Sequence, residues 1–403
     1  MPEAVIVATA RSPIGRAFKG SLVGLRPDDM AAQIVQAVLA KLPQLDPTTV
    51  EDLILGNGQP AGEAGYNLAR VVALLAGLPG VPGTTVNRYC SSSLQTIRMA
   101  AHAIKAGEGD VFVAAGVEAV SRFSQGMADG MPDTHNSAFE QAEERTASRS
   151  LGGAESWSPA AGLPDIYIAM GQTAENVREL EKVSRRDMDE FAALSQNRAV
   201  ASQQNGFFER EISPLKLADG TVVTTDDGPR PGTTVEKLAE LKPAFRPDGE
   251  VTAGNSCPLN DGAAAVVVMS DTRARELGIQ PLARIVSSGV TALDPEIMGL
   301  GPVEACRQAL RRANMSIDDI DLVEINEAFA AQVVPSARHL GIDYDKLNVH
   351  GGSIALGHPF GMTGARIMTT LINGLQTEDK TFGLESMCVG GGQGMAMIVE
   401  RLS

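Results

Sequence analysis

The amino-acid sequence predicts an α/β protein made of two similar core units of βαβ type, with an unlike segment inserted in the first. Three observations predict this architecture. Short apolar runs of strand character alternate with longer stretches of helical periodicity along most of the chain. The same succession of strand, helix, acidic turn and strand occurs twice, once toward each end. Between the two copies lies a polar, turn-rich stretch that the second copy lacks.

Residues 4–15 (AVIVATARSPIG) open the first copy as a buried strand, and residues 283–290 (ARIVSSGV) open the second. Helices then begin at Arg26-Pro27-Asp28-Asp29-Met30 and at Gly301-Pro302-Val303-Glu304. In both, a proline stands near the helix start, where its fixed φ and missing N–H are tolerated. Leu45-Asp46-Pro47 leads to a strand ending in Ile54-Leu55-Gly56-Asn57, and Ser316-Ile317-Asp318-Asp319 leads to Leu322-Val323-Glu324-Ile325-Asn326. Residues 85–90 parallel residues 347–352, each expected to run from a strand into a helix, and the next apolar strands fall at 110–115 and 381–387. Two units of like order imply two layered domains related by a pseudo-twofold axis. The expected division is residues 1–120 with 251–271 for the first core domain, 121–250 for the insertion and 272–403 for the second core domain. The insertion carries the turn Gly228-Pro229-Arg230-Pro231-Gly232 and an amphipathic helix over about 184–205, and is expected to cover the site as a loop-like domain. Residues 135–158 are polar enough to be mobile, and residues 263–269 return the chain to the first unit as a strand.

Composition narrows the function classes. Acidic residues outnumber basic ones, 49 against 34, for a net charge of −15. That balance argues against non-specific binding to nucleic acid or an anionic membrane as the main role, although a local basic cluster can still hold an anionic small ligand. Four cysteines without close spacing form neither a disulfide framework nor a zinc knuckle. The first apolar run is too short for a secretory signal, and no window of about 18 uncharged apolar residues occurs. The expected location is the cytoplasm.

Four residues fall at expected strand ends, where parallel-sheet folds gather their chemistry: Cys90, Asn326, His358 and Cys388. Cys90, in Val86-Asn87-Arg88-Tyr89-Cys90-Ser91-Ser92-Ser93, precedes a helical run, so its sulfur should meet free N–H groups and the positive helix end that favour a thiolate. Taken alone, it reads more readily as a buried structural cysteine. His358, one of five histidines, lies in the glycine-dense stretch His350-Gly351-Gly352 to Gly357-His358-Pro359-Phe360-Gly361, where backbone can approach a ligand; packing or capping is its alternative role. Cys388-Val389-Gly390-Gly391-Gly392 can aim N–H groups at an oxyanion or make a simple turn. Asn326, before Glu327-Ala328-Phe329, serves as a site residue or a helix cap.

Taken in order, VNRYCSSSLQ, NEAF, GHPFG and CVGGGQG resemble the thiolase family of acyl-CoA C-acyltransferases, along essentially the whole chain. Within it the chain resembles bacterial acetyl-CoA acetyltransferases, through Met170-Gly171-Gln172-Thr173-Ala174-Glu175-Asn176 and residues 254–263 (GNSCPLNDGA). The resemblance implies a thiolase fold, with Cys90 as the nucleophile that accepts the acyl group. It implies His358 as acceptor of the thiol proton and donor to the thioester oxygen, and Cys388 as acid/base at the α-carbon. Asn326 would hold a water that, with His358, makes one oxyanion site, and the N–H groups of Cys90 and Gly390 would make the other. Loss of one such donor costs on the order of 100-fold in rate or more. Arg230 would stack on the adenine of coenzyme A, with Met170, Phe245, Cys257 and Phe329 along the pantetheine and acyl channel. Without the resemblance, Arg230 is a solvated arginine and Met170, Phe245 and Phe329 are core residues. Acyl-CoA and CoA are the implied ligands, with no metal and no further cofactor, and a homo-oligomer, dimer or tetramer, is implied.

The chain departs from the family pattern in two places. Ala169 stands where biosynthetic members carry His, and Cys257 where they tend to carry Ser. Residues 121–165 also form a longer segment than the family's. Acetyl-CoA/acetoacetyl-CoA is the expected substrate pair. Longer 3-ketoacyl-CoAs of β-oxidation are the alternative, and a non-catalytic acyl-CoA or lipid carrier is the alternative of another class. The presence of Cys90, His358 and Cys388 together opposes the carrier.

Overall fold

Runs rich in Val, Ile and Ala and sparse in charge build most of the strands of this protein, and the burial of the longest of them on both faces decides where they go. The structure, a computed structural model, describes residues 2–153 and 156–403. Its strands are β1 (Ala4–Arg11), β2 (Gly15–Arg16), β3 (Asp52–Gly56), β4 (Gly83–Val86), β5 (Val111–Ala119), β6 (Leu215–Lys216), β7 (Val222–Val223), β8 (Asn260–Ser270), β9 (Ala283–Ala292), β10 (Leu322–Ile325), β11 (Phe382–Val389) and β12 (Gln393–Arg401).

One mixed sheet runs β10-β11-β12-β9-β1-β8-β5-β3-β4, with β2 on β8 and a separate β6-β7 pair. The duplication is visible in the pairings. In the first half β4, β3 and β5 are parallel neighbours, and β8 and β1 follow antiparallel. In the second half β10 and β11 are parallel, and β12 and β9 follow antiparallel. An isolated parallel bridge, Val323 to Leu347, stands where β4 stands in the first half. Within the sheet, among the described residues, the halves pair at two positions, Val5–Arg284 and Ile6–Ala283.

The period of two along each strand sorts side chains between helix layers. On β8, Ala263, Ala265, Val267 and Met269 face an outer cluster under the helices Pro27–Ala40 and Leu68–Leu75. Ala264, Val266 and Val268 face a central cluster containing the helices Ser92–Ala106 and Thr363–Thr377. A third cluster packs the helices Gly301–Ala313 and Ala330–Leu340 on the far side of the second half. The result is five layers, with the two central helices enclosed between the two halves of the sheet. They cross backbone to backbone, since a Cβ on Gly364 would stand 2.3 Å from Leu94 N.

The inserted stretch is more helical than its turns suggest, with helices Glu140–Ser150, Met170–Glu181 and Arg185–Gln204. The last matches the expected amphipathic helix and begins at a capping box formed by Ser184 and Asp187. Residues 154 and 155, in the stretch expected to be mobile, lie outside the described residues.

Three expectations are corrected. The strand anticipated over 347–352 is reduced to the bridge at Leu347, after which the chain turns into the short helix Ser353–Leu356. Asn348 and Gly351 have φ of 47° and 84°, which a strand cannot continue through, and a Cβ on Gly351 would lie 2.6 Å from Ala199 N. His358 therefore follows a helix, not a strand. Cys388 lies within β11, opposite Gly394 on β12, and not beyond the strand end.

Candidate active site

Four elements from both halves of the sheet build the site. Cys90 occupies a 3-10 turn, Tyr89–Ser91, between β4 and the central helix Ser92–Ala106. Tyr89 takes a left-handed φ of 42°, held by its N–H donating to Asn87 Oδ1 at 2.8 Å and by Ser92 Oγ donating to Tyr89 O at 2.7 Å. The turn aims the sulfur inward, where Cys90 is buried and receives its own N–H and that of Gly390. Arg88 Nη1 donates to Gln393 Oε1 at 2.7 Å, strapping this turn to the second half.

The helix-start geometry is as expected, but its electrostatic consequence is not. Burial raises the Cys90 thiol to about 11, and Glu118 pushes the same way, while the two N–H groups only partly oppose them. Desolvation outweighs the helix terminus, so the free sulfur is a neutral thiol at pH 7. The Gly390-Gly391-Gly392 run forms the three-residue hairpin between β11 and β12, with Gly391 and Gly392 both at φ 75°. This hairpin presents the Gly390 N–H to Cys90.

Cys388 is fully buried on β11, its thiol held well above the ordinary range by burial and then by the neighbouring Cys90 and Cys257 sulfurs. The Cys257 thiol is likewise raised by burial and then by Cys90. Cys257 is fixed by its N–H donating to Ala328 O at 3.0 Å. Three thiols, from the first half, the second half and the segment before β8, thus lie within electrostatic reach of one another.

His358 is buried between two polar partners. Thr363 Oγ1 donates its one proton to Pro359 O at 2.8 Å, so it accepts from His358 Nδ1 at 2.6 Å. The Nε2 lone pair then faces Asn326 Nδ2 at 3.3 Å. Burial, reinforced by the charge of Arg366, lowers His358 to about 3, so the ring is neutral. Asn326 directly follows β10, with its N–H donating to Ser386 O at 2.9 Å and Oδ1 accepting from Ser353 Oγ at 2.6 Å.

Sequence reasoning passed over several groups that hold these residues. Glu118, buried near the end of β5, accepts from Gly58 N at 2.8 Å, Gly361 N at 2.9 Å and Asn57 Nδ2 at 3.2 Å. It thereby ties the His358 loop to the first half, and burial still lifts its carboxyl to about 7. Asn260 Oδ1 accepts the His358 N–H at 3.1 Å, and Ser353, Thr363 and Arg366 complete the polar set around the ring. The available signal was a lone charge in an apolar run, Glu118 within VFVAAGVEAV and Arg366 within GARIM.

The expected ligand-channel residues divide. Phe329, buried, and Phe245, 37% exposed, meet edge to face with centroids 5.9 Å apart. Phe329 also bridges Ser256, next to Cys257. Met170 starts the helix Met170–Glu181 and packs on the outer cluster of the second half. Arg230 is not among the groups that converge on the thiols. Its N–H donates to Gln196 Oε1 at 2.9 Å, and among the described residues its guanidinium makes no hydrogen bond or ion pair. Its loop nevertheless lies against the site, as a Cβ on Gly228 would touch Ala355 O at 2.1 Å.

Comparison with known proteins settles the lineage. The thiolase N-terminal domain family matches residues 4–272 and the thiolase C-terminal domain family residues 279–401. The chain belongs to the thiolase family. As a thiolase it is an acyltransferase. It is 44% identical over 414 residues to the β-ketoadipyl-CoA thiolase of Escherichia coli and 44% identical over 412 residues to a 3-ketoacyl-CoA thiolase of Salmonella typhimurium, each covering 100% of both chains. Its structure is similar to that of the Bacillus anthracis acetyl-CoA acetyltransferase (TM-score 0.85, 40% identity, 100% of this chain and 99% of the other). It also resembles the dimeric peroxisomal thiolase of Saccharomyces cerevisiae (TM-score 0.88, 36% identity, 99% and 97% covered). Among the described residues, no helix is long and apolar enough to cross a membrane.

Proposed function

We propose that this thiolase moves an acyl group between coenzyme A thioesters through an acyl-Cys90 intermediate, with Cys388 exchanging the α-carbon proton. The observation carrying this reading is the adjacency of the Cys90 and Cys388 thiols, one from each half of the duplicated sheet. The neutral His358 Nε2 takes the Cys90 proton as sulfur attacks the thioester carbonyl, and the departing CoA sulfur recovers a proton from it. The N–H groups of Cys90 and Gly390, which already face the Cys90 sulfur, stabilise the oxyanion of the acyl-enzyme, and Asn326 with His358 stabilises the other. In condensation Cys388 first passes its proton to the neutral His358, and the thiolate so formed removes an α-proton from the second acyl-CoA; the carbanion attacks the acyl-Cys90 carbonyl, and the expelled Cys90 sulfur takes the proton back from His358. In thiolysis the protonated Cys388, the form its burial favours, returns that proton. The reaction uses no metal and no cofactor beyond the CoA thioesters.

Brief exposure to acetyl-CoA should add one acetyl group, found on the Cys90 peptide by mass. Cys388→Ala should still be acetylated while condensation nearly stops; acetylation elsewhere, or loss of both steps together, would refute these roles. The proposed substrate pair is acetyl-CoA and acetoacetyl-CoA. A second reading, longer 3-ketoacyl-CoAs, is favoured by Ala169 and Cys257 near the channel and by the names of the two bacterial relatives. Thiolysis rates over a series of acyl lengths separate the two: a steep fall after acetoacetyl-CoA supports the first and a flat profile the second. Arg230, Met170, Phe245, Cys257 and Phe329 are proposed to hold the CoA arm and acyl group. Among the described residues the edge strand β4 pairs only with β3, and the yeast relative is dimeric, which supports a homo-oligomer, dimer or tetramer. We place it in the cytoplasm, in keeping with four free thiols.

A further inference from the structure

We infer that Arg366, acting through Ser353, is a positioning residue that sets which way the Asn326 amide points, and so keeps the Nε2 lone pair of His358 available. This rests on the proposed role of His358 as the base for Cys90. Arg366 Nη2 donates to Ser353 Oγ at 2.8 Å. A guanidinium has only donors, so Ser353 Oγ must accept there and send its single proton elsewhere. The proton goes to Asn326 Oδ1 at 2.6 Å, which commits the amide oxygen to Ser353 and turns Nδ2 toward His358 Nε2 at 3.3 Å. The chain of donors has one direction, and it ends on the nitrogen that must stay unprotonated.

The other ring nitrogen is fixed from the same helix. Thr363 and Arg366 lie three residues apart at the start of Thr363–Thr377, hence on one face. Thr363 accepts the Nδ1 proton directly, and Arg366 governs Nε2 through two intermediaries. Arg366, Ser353, Asn326, His358 and Thr363 are all 2% exposed or less, so water does not compete for these bonds. Reversing the amide would set the Asn326 oxygen against the Nε2 lone pair and favour the tautomer with the proton on Nε2, which cannot receive one from Cys90.

The test has two arms. In the wild-type protein, 15N-histidine spectra at pH 7 should show His358 neutral with its proton on Nδ1; a proton on Nε2, or on both nitrogens, overturns the inference whatever the enzyme's activity. In the second arm, Ser353→Ala should slow acetylation of Cys90 by about tenfold, and Ser353→Thr, which keeps the hydroxyl, should restore most of it. In an Asn326→Ala background the Ser353→Ala change should cost less than about twofold, because the residue it acts through is gone. Equal losses in both backgrounds, or no loss in either, overturn it. Failure of wild-type acetylation would instead refute the functional proposal, and the spectra would still judge the tautomer.

Discussion

Cys90 shows how far a single side chain's chemistry depends on what covers it. Its strand–turn–helix setting was legible in VNRYCSSSLQ, because a turn between an apolar run and a helical run has few alternatives. Its charge state was not, since that depends on desolvation by residues far away in the chain. Burial and Glu118 put the thiol near 11, above the unperturbed range, so at neutral pH it gains anionic character only when His358 removes its proton. The sign is clear: raising pH toward 11 increases the thiolate. Alkylation of Cys90 in the free protein, followed by peptide mass, should therefore accelerate about tenfold per pH unit between roughly pH 6 and 9. A plateau near pH 7 would show a thiolate already formed and contradict this account. The same limit explains the residues that were missed. Ser353 and Thr363 look ordinary in sequence, Glu118 and Arg366 stand out only as lone charges in apolar runs, and all four gain meaning only where β5, the helix Ser353–Leu356 and the helix Thr363–Thr377 meet.

At the scale of elements, the central helices Ser92–Ala106 and Thr363–Thr377 carry opposite sides of the site, one following Cys90 and the other gripping His358. They approach so closely at Gly364 that any Cβ there would meet the main chain at Leu94, which cannot move aside as a side chain can. Gly364→Ala should destabilise the fold by roughly 2–3 kcal/mol, the upper part of the range for overpacking, read from the urea unfolding midpoint. A change under about 0.5 kcal/mol would mean that the helices slide apart freely. The expected helix over 184–205 was legible because its periodicity and cap were local. The failed strand over 347–352 was not, because Asn348 and Gly351, both at positive φ, turned a strand-like composition into a bend.

For the whole molecule, Arg11 at the end of β1 locks the inserted stretch to the core. Its guanidinium is fully buried, bonded bidentately to Asp226 at 2.8 and 3.0 Å and through Nε to Glu211 at 2.7 Å. Asp226 Oδ1 also accepts from Ile14 N at 2.8 Å. Removing one partner strands charge in a dry interior, so Asp226→Asn should cost about 3–5 kcal/mol in unfolding free energy. Wild-type stability in that variant would mean water reaches the pair. The duplicated architecture was legible from the repeated order of motifs, whereas the narrow two-pair seam between β1 and β9 depends on register, which composition does not encode.

That seam has a consequence for how such a protein can change. Because so little strand pairing binds the halves, their mutual alignment is delegated to the packed middle layer, where the central helices meet main chain to main chain at Gly364. A change of volume in that layer is then passed to both halves at once, whereas a change under the outer helices of either half is felt by that half alone.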